Sequence, residues 1–596
     1  MTMLQATPSA ADALQGSRSA WSRLPLLGRY PATHVFLAAA LYVFFAVFLI
    51  WPIVQVVATG FVSKTGGFTL NYVKLIFQSH VLVEGLRNAG LVAVLVTLLT
   101  LAISLPLAVL SVRFDFPGRG LLSGLLLVPL VLPPFVGALG MRLVLSRYGP
   151  LTQLVGAGDG LGIDWLGLHR LAGIVIIEAL HLYPIMLLNL QAAMANLDPA
   201  MEQAAANIGA SRWTIFHRIT LPLIRPGLFA GCTLVMIWSF TELGTPLMFD
   251  YITITPVQVF KLITDVSDNP LPYALVVVTL IASTLLYLIG KVLLGRGFDA
   301  ATTKASTAAT SHRLHGWKAA LVAAPFLVVV LLAVIPHIAV VLTSLTATGS
   351  WYKSLLPASL TAAHFRAALV DELAFPSIVN SIKYASLATA LAMLVGLGTA
   401  ILIVRSRLPG RGLIDALSML PLAVPGLVMA FGYLAISIWF KRKLGESMPV
   451  WLDVQRNPLL LLVIAYAARR LPYVVRSAVA GLQQTPQDLE LAAANLGASR
   501  FTVLRRITVP LILANLIAGG LLAFAFAMLE VSDSLILAQR TEHFPITKAI
   551  WEISQRLEDG LYLASALGVW AMVLLTLTIL SANAFMGRKL GAIFRV

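Results

Sequence analysis

About twelve apolar runs divide this chain, beginning near Val35, Asn88, Leu121, Leu171, Leu223 and Tyr273 and again near Trp317, Asn380, Leu413, Leu459, Leu511 and Leu561. A bilayer-crossing helix needs roughly 20 such residues, and no water-soluble fold could hide them all. Of 596 residues, 59% are hydrophobic and 11% charged, whereas soluble chains carry about 25% charged residues. The expected fold class is an all-α polytopic membrane protein embedded in a lipid bilayer. The single cysteine, Cys232, falls inside the run from Leu223 to Phe240, which excludes a disulfide framework, a thiolate metal site and a CxxC redox pair.

The net charge of +16 could suggest a nucleic-acid partner. The basic clusters, however, sit between apolar segments, where membrane topology explains them, so no nucleic acid is expected. With the amino terminus inside, about 21 of the 42 basic residues fall in the tails, the central linker and the loops after the second, fourth, eighth and tenth runs, as the positive-inside rule requires. The Lys441-Arg442-Lys443 cluster lands on the other side and opposes this assignment. The polar stretch 1–34 reads as a cytoplasmic tail, because the apolar run after it is too long for a signal-peptide core. A stretch rich in Ala, Thr and Ser, with five basic residues between Lys291 and Lys318, reads as a linker. The expected units are therefore a tail at 1–34, a first membrane domain at 35–297, a cytoplasmic linker at 298–317 and a second membrane domain at 318–596.

The two halves repeat. Pro117-Gly118-Arg119-Gly120 recurs 292 residues later as Pro409-Gly410-Arg411-Gly412, and at that spacing Pro129 and Pro133 fall on Pro421 and Pro425, inside an apolar run. A second block, Met201 to Pro222, recurs 288 residues later as Leu489 to Pro510 with 14 identities in 22 positions. Six runs per half is an even number, so both halves enter the membrane from one side, and a two-fold axis along the membrane normal relates them. A path between the halves is the expected core.

The second block is the most informative. It reads Met201-Glu202-Gln203-Ala204-Ala205-Ala206-Asn207-Ile208-Gly209-Ala210-Ser211-Arg212, and its copy reads Leu489-Glu490-Leu491-Ala492-Ala493-Ala494-Asn495-Leu496-Gly497-Ala498-Ser499-Arg500. Asp198-Pro199 favours a helix start, and the alanines combine high helix propensity with a flat side that another surface can approach. Gly209 and Gly497 can take a positive φ and end that helix. An arginine-bearing second helix then leads to Pro222 or Pro510 at the next membrane entry.

This block resembles the Glu-Ala-Ala loop of ABC importer permeases, in which Glu-Ala-Ala is followed by three residues, Gly, nine residues, then Ile-x-Leu-Pro. Gly209, Ile219, Leu221 and Pro222 match in the first half; Gly497, Ile507 and Pro510 match in the second, where Val509 replaces Leu. The resemblance implies two tandem six-helix type I ABC importer permease domains in one chain. It implies a bacterial inner-membrane location with both termini cytoplasmic. It also implies that two copies of a soluble ABC ATPase dock on the paired loops, and that a periplasmic or extracellular solute-binding protein delivers the solute. The residues assigned to ATPase coupling are Glu202, Gln203, Ala204, Ala205, Gly209 and Arg212, with Glu490, Leu491, Ala492, Ala493, Gly497 and Arg500. One feature departs from the family pattern: its glutamate position holds Gln203 and Leu491, and the acid stands one place earlier, at Glu202 and Glu490. One residue turns about 100° around a helix, so these acids cannot make the family residue's contacts. No Gly-x-x-x-x-Gly-Lys-Ser/Thr loop is present, so ATP has to be hydrolysed by a partner and the chain itself is not an enzyme. No metal site or cofactor is expected, since the ten histidines form no HExxH pattern.

Charged residues inside the apolar runs mark the candidate translocation path. Arg469 and Arg470 interrupt the run from Leu459 to Val475, where insertion costs about 2.5 to 3.5 kcal/mol per charge. At the 288 spacing the first half places His181 and Leu182, with Glu178 one turn earlier. Glu242, and at the same spacing Glu530 with Asp533, end the fifth and eleventh runs and are expected to ring an outer mouth. A structural ion pair remains the alternative for the arginines. A mid-membrane positive charge attracts anions, so anionic solutes are expected to depend on it most. The fused arrangement is most similar to ferric-iron permeases, with permeases for phosphonates, sugar phosphates and thiamine as alternatives. Outside the family, an ion-driven secondary transporter shares the parallel repeat but gives no reason for two alanine-rich loops, and no catalytic cluster supports a membrane enzyme.

Overall fold

The computed structural model describes residues 31–294 and 312–586, apart from 64–65, 132, 157–160 and 266–268. Most of the expected tail at 1–34 and linker at 298–317 lies outside the described residues. Those residues hold nine helices long and apolar enough to cross a membrane, and a tenth if one bent pair counts as a single span. The shortfall from twelve has two physical causes. Helix Leu459–Gln484 is 26 residues long, but every 18-residue stretch of it contains Arg469, Arg470 and Arg476. The third run of the first half is broken into Arg119–Leu125, Val128–Val131 and Pro134–Val144.

Proline causes the breaks. In the second half Arg411–Ala423 and Gly426–Ser447 meet at 103°, because Pro425 has no N–H to donate and forces Val424 into an extended conformation. The first half bends at the equivalent Pro133, whose own backbone is extended ahead of Pro134. Prolines also explain three five-residue π turns, Ala46–Ile50, Phe216–Thr220 and Leu504–Thr508. Each lies just before Pro52, Pro222 or Pro510, where the missing donor loosens the helical ladder.

The two halves exchange their first helices. Ala32–Gly60 lies along the second half: Tyr42 donates to the Gly410 carbonyl at 2.9 Å, and Tyr433 donates to the Phe48 carbonyl at 2.6 Å. Reciprocally, Gly316–Leu345 lies against Pro134–Val144, with Phe326 edge-on to Phe116 at 5.3 Å. Two glycines at the 292 spacing permit the crossings. A methyl group on Gly432 would sit 2.6 Å from the Pro52 Cβ, and one on Gly140 would run into the Val340 backbone. Small residues at such crossings let helix backbones approach closely. One hydrophobic cluster runs through both halves. Where the linker becomes describable, His312–Arg313 pairs in parallel with Phe114–Asp115, and Arg313 meets Asp115 at 3.5 Å.

Candidate functional site: paired loops and an interior charge cluster

In the first loop, helix Pro199–Asn207 starts where the Asp198 carboxylate accepts from the Ala200 N–H at 3.0 Å. It ends in a Schellman motif: Ala210 N–H donates to the Ala205 carbonyl at 3.0 Å while Gly209 holds φ +88°. The second loop repeats this with Asp488–Asn495, Ala498 donating to Ala493 at 3.0 Å, and Gly497 at φ +86°. Ser211 and Ser499 then cap the next turn, each accepting from the N–H three residues on at 3.2 Å.

Each loop presents an apolar surface to the outside. Met201, Ile208 and Trp213 are exposed, and so are their 288-spaced equivalents Leu489, Leu496 and Phe501; Ile208 is 87% and Leu496 90% accessible. Gln203, Ala204, Gly209 and Arg212 are exposed beside the first set, as are Leu491, Ala492, Gly497 and Arg500 beside the second, while Ala205 and Ala493 are half-buried. Arg500 also donates to the Thr33 hydroxyl. Sequence reasoning missed the apolar triads, although their recurrence at the repeat spacing was a usable signal.

Glu202 and Glu490, assigned to coupling with these residues, turn the other way. The Glu202 carboxylate accepts from Arg113 at 2.9 Å and from the Thr220 hydroxyl at 2.5 Å. That of Glu490 accepts from Arg405 at 3.1 Å and from Thr508 at 3.0 Å. A single-residue displacement along the helix has carried each acid from the open face to the membrane helices.

The interior cluster lies where the halves meet. Arg469 Nη1 is 2.5 Å from Glu530 Oε1 and 3.6 Å from Asp533 Oδ2. Arg470 pairs with the other oxygen of Glu530, and it also donates to the Phe526 carbonyl at 3.1 Å. Glu530 and Asp533 are buried. Glu242 accepts from the backbone N–H groups of Gly244 and Thr245 at 3.0 and 3.4 Å. A cavity of about 70 Å³ is lined by Trp238 and Glu242 from the first half and by Pro421, Pro425, Arg469 and Arg470 from the second. Glu178 accepts from Ser239 at 2.5 Å, and His181 Nδ1 lies 2.7 Å from the Pro129 carbonyl at the first-half break.

This arrangement brings the expected acids and arginines together. Glu242, Glu530 and Asp533 do not ring a mouth apart from the arginines. Helices Arg225–Phe240 and Val509–Met528 each break and resume as the buried helices Gly244–Met248 and Ser532–Leu537; Arg225–Met248 still reads as one span, and Glu530 and Asp533 pack against the arginines inside the bundle. The two guanidinium groups are not alone there: Glu530 and Asp533 pair with them, and Glu242 lines the same cavity. The arginine, histidine and carboxylate positions were legible from the repeat. Trp238 was not, because an aromatic residue in an apolar run looks like any other core residue.

Comparison with known proteins identifies the family. The family described as binding-protein-dependent transport system inner membrane component matches twice, at residues 101–299 and 392–588. Among relatives, the putative ferric transport system permease protein FbpB 1 of Haemophilus influenzae is 27% identical, over 84% of this chain and 77% of its own length. The ferric transport system permease protein FbpB of Actinobacillus pleuropneumoniae is 28% identical, over 88% of this chain and 74% of its own. The molybdenum transport system permease protein ModB of Escherichia coli strain K12 is 34% identical, but over 27% of this chain and 71% of its own. With both halves matched and the paired loops in place, the chain belongs to the binding-protein-dependent transport system inner membrane component family, as a fused permease carrying that domain twice.

Proposed function

We propose that this chain is the membrane-spanning subunit of an ABC importer for ferric iron or a ferric chelate. Two copies of a soluble ATPase dock on the loops around Gly209 and Gly497, a binding protein delivers solute to the opposite face, and both termini are cytoplasmic. The observation that carries the reading is the duplicated, solvent-exposed helix-turn-helix with matched apolar triads, on a chain whose ferric-transport relatives cover most of its length. The solute path runs through the cavity between the halves, lined by Glu242, Arg469 and Arg470, with Glu530 and Asp533 buried behind the arginines and Glu178 and His181 at the equivalent level of the first half. The Lys441-Arg442-Lys443 cluster, which counts against this orientation by charge alone, has a local role: it forms the last turn of helix Gly426–Leu444, where cations offset the helix dipole, and Lys441 meets Asp453 at 3.7 Å.

The test is uptake into liposomes holding the chain with its ATPase and binding protein, using radiolabelled ferric citrate and molybdate in parallel. Ferric uptake that requires ATP, with no molybdate uptake, supports the reading. Molybdate uptake alone overturns the solute assignment.

A further inference from the structure

The displaced glutamates carry an inference that rests on the docking role proposed above and goes beyond it. Each coupling helix is an isolated element of eight or nine residues, too short to be stable on its own. A partner's movement reaches the membrane only if something fastens that helix to the spans. In both halves the fastening is the same three-residue arrangement. Arg113 ends helix His80–Arg113, and Arg405 ends helix Ala374–Arg405. Thr220 and Thr508 are buried in the π turn that opens the next span. Glu202 and Glu490 bridge the two. Arg405 additionally donates to the Thr485 carbonyl at 2.9 Å, so it grips the end of helix Leu459–Gln484 as well. All three members recur at the repeat spacings, Arg at 292 and Glu and Thr at 288.

We propose that Glu202 and Glu490 are positioning residues, each clamping its coupling helix to the end of one membrane span and the start of another, so that displacement of the docked ATPase turns those spans as a unit. This explains why the acid stands one place before the family position. There it is withdrawn from the docking surface and spent on transmission within the chain. The two clamps are not equally sheltered. The Arg405 and Glu490 side chains are 11% and 15% accessible, against 33% and 30% for Arg113 and Glu202. Solvent screens the more exposed pair, which makes its charge worth less, so the second clamp transmits more.

The experiment uses the full permease with its ATPase and binding protein in liposomes, comparing the parent with Glu202→Gln, Glu490→Gln, the double variant and the exchange Arg405→Glu/Glu490→Arg. Two quantities are read: the amount of ATPase that copurifies, and the solute moved per ATP hydrolysed. The glutamine variants keep the ATPase bound. Solute moved per ATP falls about fivefold or more for Glu490→Gln, within the span usual for coupling between sites, falls less for Glu202→Gln, and is partly restored by the exchange. A purely structural role would lower both quantities together, whereas the clamp lowers only the solute moved per ATP. An unchanged ratio in the double variant overturns the clamp. Loss of ATPase binding in the variants alone also overturns it, because it returns the acids to the docking surface. Absence of the ATPase from the parent complex instead overturns the docking role on which the clamp rests. Should Glu490→Gln not assemble, Thr508→Val and Thr220→Val, which keep every charge, read the same ratio, and an unchanged value in both counts against the clamp.

Discussion

Glu530 is the acid that both interior arginines share, and its removal tests the cluster at the residue scale. Breaking a buried pair costs about 3–5 kcal/mol because the remaining charge stays buried. Glu530→Ala leaves two guanidinium groups without their main partner, whereas Arg470→Ala leaves Glu530 with Arg469. Thermal unfolding of the purified chain in detergent is therefore expected to show a larger fall in midpoint for Glu530→Ala than for Arg470→Ala, and the reverse order would contradict the shared pairing. The turn glycines make a second case. Nothing lies within 4 Å of where a side chain would start at Gly209 or Gly497, so any cost of substitution comes from the positive φ alone, about 1–3 kcal/mol for a residue that resists it. Gly209→Val and Gly497→Val should reduce ATPase copurification and transport while leaving the unfolding midpoint of the membrane bundle nearly unchanged. Gly→Asn at the same positions should be milder, since Asn tolerates that conformation.

At the scale of elements, the loops and their end signals were readable in the sequence because they are local: Asp-Pro starts, alanine builds, glycine stops. The pairing of Glu530 with both arginines was not readable. A run of apolar residues says that a segment is shielded from water and not which charged groups meet inside the bundle. The extra-membrane loops also contain a pairing invisible in sequence. Arg556 meets Asp371 at 2.6 Å, and Asp371 accepts from the N–H groups of Leu373 and Ala374 at 2.9 Å each. Partial burial raises the Asp371 pKa, but these donors and the guanidinium charge outweigh it and hold the group below its ordinary value of 3.8. A depressed carboxyl stabilises the fold above its unfolded pKa, and that contribution fades as pH falls through the folded value. Asp371→Asn should therefore lower the unfolding midpoint at pH 7, and the gap from the parent should narrow below about pH 4.

For the whole molecule, the twofold organisation was written in the repeat, while the exchange of first helices between halves was not. Hydropathy marks Ala32–Gly60 and Gly316–Leu345 as spans but carries no information about which half covers them, and contacts such as Gly432 with Pro52, Gly140 with Val340 and Tyr433 with Phe48 reveal it. Such an exchange makes each half incomplete alone, so residues 318–596 expressed without the first half are expected to be poorly folded, as judged by monodispersity in detergent, and to recover when the two halves are coexpressed. The central claim is that both exposed loops receive an ATPase subunit. With Cys232→Ser as background, Ile208→Cys and Leu496→Cys place one thiol in each apolar triad, and crosslinking to the copurified ATPase reads the contact directly. The account predicts a crosslink from each position and two ATPase copies joined when both cysteines are present. A transport-competent complex in which neither cysteine reaches the ATPase would contradict it.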